Sequence, residues 1–105
     1  MAEVQIVYWR DIPAMVTARD GRRERASANL SERFQAAIDE AAMRAGLIGT
    51  DEYLAEWRRS EWQAADGDAA SVAQRVAAEL EAAYPPERLQ QLVLSRGSAN
   101  ADTAK

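Results

Sequence analysis

The sequence predicts a small α+β domain, a two-layer sandwich in which helices cover one face of a mostly antiparallel sheet. Three observations carry this prediction. Residues 4–10 (VQIVYWR) are rich in β-branched and aromatic side chains and too few to make a helix. Residues 31–45 and 68–84 repeat apolar side chains at helical spacing. The resulting order of strand, strand, helix, strand, helix is the pattern of helices laid on one side of a sheet.

Each element has its own signals. In residues 4–10, Val4, Ile6 and Tyr8 share one face and Gln5, Val7 and Trp9 the other, so both faces call for cover. Residues 11–13 read as a turn, and 15–19 as the second strand of a hairpin that ends at Asp20-Gly21. The basic stretch up to Ala28 reads as an exposed loop or a frayed strand end. Ser31 is placed to cap the first helix, with Glu32 in its first turn and Gly46 as its stop. Phe34, Ile38, Ala41 and Ala45 form its apolar stripe, and Met43 falls on the opposite side. Residues 51–62 (DEYLAEWRRSEW) fit either a helical turn followed by a strand over 55–62 or a helix through Arg59; Trp57 and Trp62 favour the strand. Residues 64–68 read as a turn. The second long helix spans 68–84, with Val72, Val76, Leu80 and Ala83 on one face, and Pro85-Pro86 ends it. Residues 87–94 suit a short final helix. The domain is expected to occupy residues 1–95, with a disordered tail over 96–105, where small polar residues cannot offset the entropy of ordering.

Composition narrows the chemistry. The 105 residues suit one domain, and alanine supplies 23 of the apolar positions, so the core is modest. With no cysteine and no histidine, the chain cannot form disulfides, zinc fingers, thiol nucleophiles or Ser/His/Asp triads. No signal-peptide pattern opens the chain, and no run approaches the ~18 apolar residues of a membrane span, so a cytoplasmic location without membrane contact is expected. The net charge of −4 argues against a general nucleic-acid binder. Charge is uneven: residues 19–25 (RDGRRER) hold four arginines, Arg22 and Arg23 among them, against two acids. Arginine suits fixed contacts to carboxylate or phosphate, so this run is a candidate anion or acidic-partner site, against the plainer reading of a solvated loop.

Asp11, Asp39, Glu40, Asp51, Glu52, Glu56 and Glu61 are the candidate carboxylates for acid–base work. Most occupy positions expected of solvated surface charge. Asp11 closes a strand beside Arg10, where capping a turn is the simpler role. No phosphate-binding glycine loop and no calcium-loop spacing occurs, and no metal or cofactor is expected. Tyr8, Trp9, Tyr53, Trp57 and Trp62 read first as core. A surplus of aromatics in so small a domain can also serve an interface, where Trp, Tyr and Arg dominate binding energy.

Two stretches are more particular. One is residues 6–14 (IVYWRDIPA). The other is residues 34–59, with AAMRAGLIGTDEYLAEWRR from Ala41. Together with Gly21-Arg22-Arg23 they resemble a bacterial family of small "virulence factor" domain proteins, over roughly residues 4–85. The resemblance brings no catalytic residues. It implies that Tyr8, Trp9, Arg10, Asp11, Pro13, Arg44, Tyr53, Trp57 and Arg58 lie inside characteristic motifs. It also implies an accessory role linked to folate- and corrinoid-dependent one-carbon metabolism. The expected function is therefore a non-catalytic accessory or binding protein. It would use an arginine–aromatic face built from Tyr8, Trp9, Arg10, Asp11, Arg22, Arg23, Arg44, Tyr53, Trp57 and Arg58 to dock a larger protein or a second copy of itself. The alternative is a small enzyme, or a ligand-binding subunit, acting on an anionic metabolite or a folate-like cofactor.

Overall fold

The structure, a computed structural model of the chain, describes residues 2–21 and 24–97. Among them run β1 (Ala2–Trp9), β2 (Ile12–Asp20), β3 (Glu24–Asn29), α1 (Glu32–Arg44), α2 (Asp51–Ala55), β4 (Trp57–Arg59), β5 (Gln63–Ala65), α3 (Ala69–Ala83) and α4 (Pro86–Leu94). The expected α+β fold is present. The sheet is antiparallel, in the order β3-β2-β1-β4, and β5 also pairs with β1. Since β2 occupies one edge of β1, β4 and β5 share the other. Ser60 bridges the gap between them: its backbone N–H donates to the Ile6 carbonyl (2.9 Å) and its hydroxyl accepts from the Ile6 N–H (2.9 Å).

Several boundaries differ from the expectation. The turn is Arg10-Asp11, and Ile12 and Pro13 already belong to β2, where both are buried. Ile12 pairs with Trp9 and Pro13 with Tyr8, so the strand runs to the end of the hairpin. Residues 24–29 form a full strand rather than a loop or a frayed strand end. Their polar residues hid this, but Ala26 and Ala28 face α3, and their small size lets the helix pack closely over the edge of the sheet. Residues 51–62 follow the first of the two readings, a short helix and then a strand, but the strand holds only Trp57–Arg59. Part of the expected turn at 64–68 is β5.

Two buried clusters hold the layers together. Ala2, Val4, Val16 and Ala18 of the sheet meet Ala69, Val72 and Ala73 of α3. Trp9 and Ile12, at the hairpin end, meet Phe34, Ile38 and Ala41 of α1, Leu47, and Leu89, Leu92 and Val93 of α4. Leu80 packs against both. Ala83, expected on the buried face of α3, is exposed. The start of α1 and the end of α3 satisfy each other's free backbone groups. The Glu81 carboxylate accepts from the Ser31 N–H (2.6 Å), while Arg33 Nη2 donates to the carbonyls of Glu81 (2.9 Å) and Tyr84 (3.1 Å). Ser31 sits at the N-cap position, but its own side chain makes no cap bond.

Asp68 caps α3, its side chain accepting from the Ser71 N–H at 2.8 Å. Hydrogen bonding to Ser71 holds its carboxyl below the ordinary aspartate range. A carboxyl depressed in the folded state stabilises above its unfolded pKa, and that contribution is lost as pH falls through the folded value. Asp68→Ala is expected to lower the melting temperature at neutral pH, and the gap to wild type should close in acid. Melting curves across that range test it; a gap that persists unchanged in acid would show that the charge of Asp68 plays no part.

Candidate functional site

The motif residues converge at the tip of the β1–β2 hairpin. A two-residue turn requires an unusual backbone, and Arg10 adopts φ 53°, a left-handed conformation that costs a non-glycine residue roughly 1–2 kcal/mol. Four contacts hold it there. Its N–H donates to the Glu56 carbonyl (3.1 Å). Its Nε pairs with Glu56 Oε1 (3.2 Å), and its Nη1 donates to the Arg96 carbonyl (2.8 Å). Its guanidinium also lies over the Trp9 ring, 5.2 Å from the centroid. Non-glycine residues held in this region cluster at functional sites.

Arg58 closes the other side of the turn. Its Nε donates to the Arg10 carbonyl (2.9 Å), its Nη2 pairs with Asp11 Oδ1 (3.1 Å), and its guanidinium stacks 4.5 Å from the Tyr8 ring centroid. The register explains the stack, since β1 pairs Tyr8 with Arg58. Asp11 thus orients Arg58, and its N–H donates to the Gly97 carbonyl (2.8 Å). Burial pushes the Tyr8 phenol above its ordinary pKa; Tyr84 adds to the rise and Arg58 opposes it. At neutral pH it is a protonated hydrogen-bond donor, not a base.

Beneath the tip lies an aromatic group. Trp9 is fully buried, at 0% exposure, and its Nε1 donates to the Tyr53 carbonyl (3.0 Å). Its ring lies 5.7 Å from that of Tyr53, and Tyr53 meets Trp57 edge-on at 6.2 Å. Burial also raises the Tyr53 phenol, with Asp39 adding to the rise and Trp57 opposing it.

The fold therefore joins Tyr8, Trp9, Arg10, Asp11, Tyr53, Trp57 and Arg58, brought from β1, its turn, α2 and β4. Trp9, read first as core but also placed on the docking face, is core: β4, α2 and the end of α4 enclose it. Arg44 stands apart, at the end of α1, paired with Glu40 one turn away (3.5 Å). Arg22 and Arg23 lie outside the described residues. Sequence reasoning did not assign Arg96 and Gly97 to the tip. Gly97, with φ 87°, follows α4, and its N–H returns to the Leu92 carbonyl (2.6 Å). A glycine just past a helical run is the available signal for such an end. The fold thus extends past the expected boundary at 95, at least to Gly97; residues 98–105 lie outside the described residues.

Among the described residues, no three acidic side chains gather as a metal site would require, and no helix is long and apolar enough to cross a membrane. Two open depressions lie on the helices, one between α1 and α4 and one on α1 alone, and Arg44 lines the second. What the hairpin tip offers is a rigid surface of fixed guanidinium, phenol and indole groups. A family model described as "Virulence factor" matches residues 7–93, a span that takes in the whole tip except Arg96 and Gly97. No curated protein and no solved structure matches the chain.

Proposed function

The chain belongs to the Virulence factor family, and from that premise we propose that it is a cytoplasmic, non-catalytic accessory protein that docks a larger protein through its hairpin tip. The observation that supports this is the convergence of Tyr8, Arg10, Asp11 and Arg58 on one preorganised surface, with the half-buried Trp57 beside it in the aromatic group. The Arg58 side chain is 51% exposed, although its orientation is fixed by Asp11, the Arg10 carbonyl and the Tyr8 ring. Tryptophan, tyrosine and arginine held rigid before contact are the residues that dominate binding energy, because little entropy remains to be lost. The family resemblance implies an accessory role in folate- and corrinoid-linked one-carbon metabolism, so enzymes of that chemistry are the first partners to test.

Arg58→Ala removes an exposed ion pair, worth about 0–1 kcal/mol to the fold, and Trp57→Ala removes a half-buried side chain. Both variants should fold. Losing a docking anchor costs more than ~1–2 kcal/mol of binding, so each should weaken capture of the partner by about tenfold or more. Arg44→Ala, away from the tip, should leave capture unchanged. Pull-down from the native organism, with melting curves of each variant, is the measurement. Full capture by folded Arg58→Ala and Trp57→Ala would remove the hairpin tip as the docking surface.

A further inference from the structure

One face of the sheet is not buried under a helix among the described residues, and Trp62 shields only its Arg19 corner. Opposite the side packed on α3, the strand registers set out three rows: Asn29–Met15–Val7–Arg59, Ser27–Thr17–Gln5 and Arg25–Arg19–Glu3. None of these residues is buried, and none belongs to either core cluster. The row nearest the hairpin tip holds an apolar pair, Val7 and Met15. Arg19 is fixed by Glu3 (2.9 Å) and lies 3.9 Å from the Trp62 ring centroid. Arg25 and Arg59 are exposed and form no ion pair among the described residues, so the face is basic on a chain of net charge −4.

The complementary surface lies on the same chain. On α1, Glu32, Ala36, Asp39 and Met43 fall within about 60° of one another on the helical wheel, opposite Phe34, and all four are exposed. Met43 is 64% exposed and shares an open depression with Ala36, Asp39 and Glu40; Arg44, also there, is paired with Glu40. This stripe is acidic with an apolar end, as the sheet face is basic with an apolar end. The spacings also agree. With Met43 on the Val7–Met15 pair, Glu32 lies ~16 Å away along the helix. The Arg25–Arg19 row lies ~13 Å away along the strands.

We infer that α1 of a second copy of this chain covers the open sheet face, with Met43 seated on Val7 and Met15 and with Glu32 and Asp39 facing its arginines. A helix laid on a sheet is the usual way to cover such a face; the α1 stripe is exposed and the sheet face only half-buried. The contact joins two different patches, so it is heterologous and adds copies head to tail. It uses a surface distinct from the hairpin tip, and either can fail without the other.

Sedimentation velocity over a concentration series tests this on the whole chain. The wild-type mass should rise beyond a dimer, and the rise should weaken with added salt. Met15→Glu blocks the sheet face and Met43→Glu blocks the stripe, so each alone should associate at least tenfold more weakly. Mixed, the two retain one intact face each and should form a 1:1 pair that grows no further. Should Met15→Glu fail to fold, the exposed double variant Arg25→Glu/Arg59→Glu takes its place; its mixture with Met43→Glu gives the same capped pair. A wild-type chain that stays monomeric at millimolar concentration overturns the inference. So does association that survives both single variants, or a mixture of folded variants that stays monomeric.

Discussion

Trp9→Ala is expected to cost the fold about 3–5 kcal/mol, the range for deleting a large aromatic side chain from a core. Trp9 has no exposed surface, its indole N–H is bonded to the Tyr53 carbonyl, and its ring is covered by Tyr53 and the end of α4. It also joins elements distant in the chain: β1 to α2 through the hydrogen bond, and β1 to α1 and α4 through the core cluster. A cavity there has walls from several elements, so no single one can collapse to fill it. In a domain of this size each kcal/mol moves the midpoint by roughly 4–8 °C. The variant should therefore melt more than about 12 °C below wild type, or fail to fold, when followed by circular dichroism. Trp9→Phe, which keeps most of the volume, should lose less. Trp57→Ala should also lose less, because Trp57 is only half-buried. A Trp9→Ala variant melting within a few degrees of wild type would mean that the ring is not the keystone of the hairpin end.

The contrast between these two tryptophans marks what was legible in the sequence. Periodicity identified β1, α1 and α3, because a buried stripe leaves a regular trace in the residue order. It also marked Phe34, Ile38 and Met43 as inside or outside correctly. Alternation within β1 could not distinguish its faces, since both are largely apolar. What separates Trp9 from Val7 is tertiary: α2, β4 and the end of α4 gather over the last residue of the strand and leave the middle of that face bare. β3 escaped notice for a related reason. Glu24–Asn29 has little strand propensity of its own, and it is extended because the edge of β2 and the underside of α3 make it so. The site shows the same division. The motif residues Tyr8, Arg10, Asp11 and Arg58 did prove to be neighbours. The groups that fix them, Glu56 and the Arg96 carbonyl, are backbone and surface positions with no pattern to give them away.

Gly97→Val is expected to be the second severe lesion, although glycine has no side chain to lose. At φ 87° the backbone is in a region that a β-branched residue adopts only with strain. A Cβ at this position would also lie 2.8 Å from Trp9 Cζ3 and 3.4 Å from Arg10 Cβ. The first of these is a distance that real side chains do not tolerate, and the atom it meets belongs to a rigid, fully buried ring. Something must therefore move, and the available movements are all costly. Lifting residue 97 breaks its carbonyl bond to the Asp11 N–H and its N–H bond to the Leu92 carbonyl, which anchor the end of α4 to the hairpin. Turning Trp9 breaks its bond to Tyr53. Overpacking alone costs about 1–3 kcal/mol and the backbone strain about 1–3 more, so a loss of roughly 3 kcal/mol is expected. Gly97→Ala should lie between this variant and wild type, since it brings the same Cβ without the branch. Truncation provides the complementary test. A chain ending at Gly97 keeps the anchor and should melt near wild type, whereas one ending at Ser95 loses both the Gly97 bonds and the Arg96 carbonyl that receives Arg10. If the chain ending at Ser95 melts with wild type, or if Gly97→Val does, then the end of α4 does not brace the hairpin. The fixed geometry of Arg10 would then rest on Glu56 and Trp9 alone.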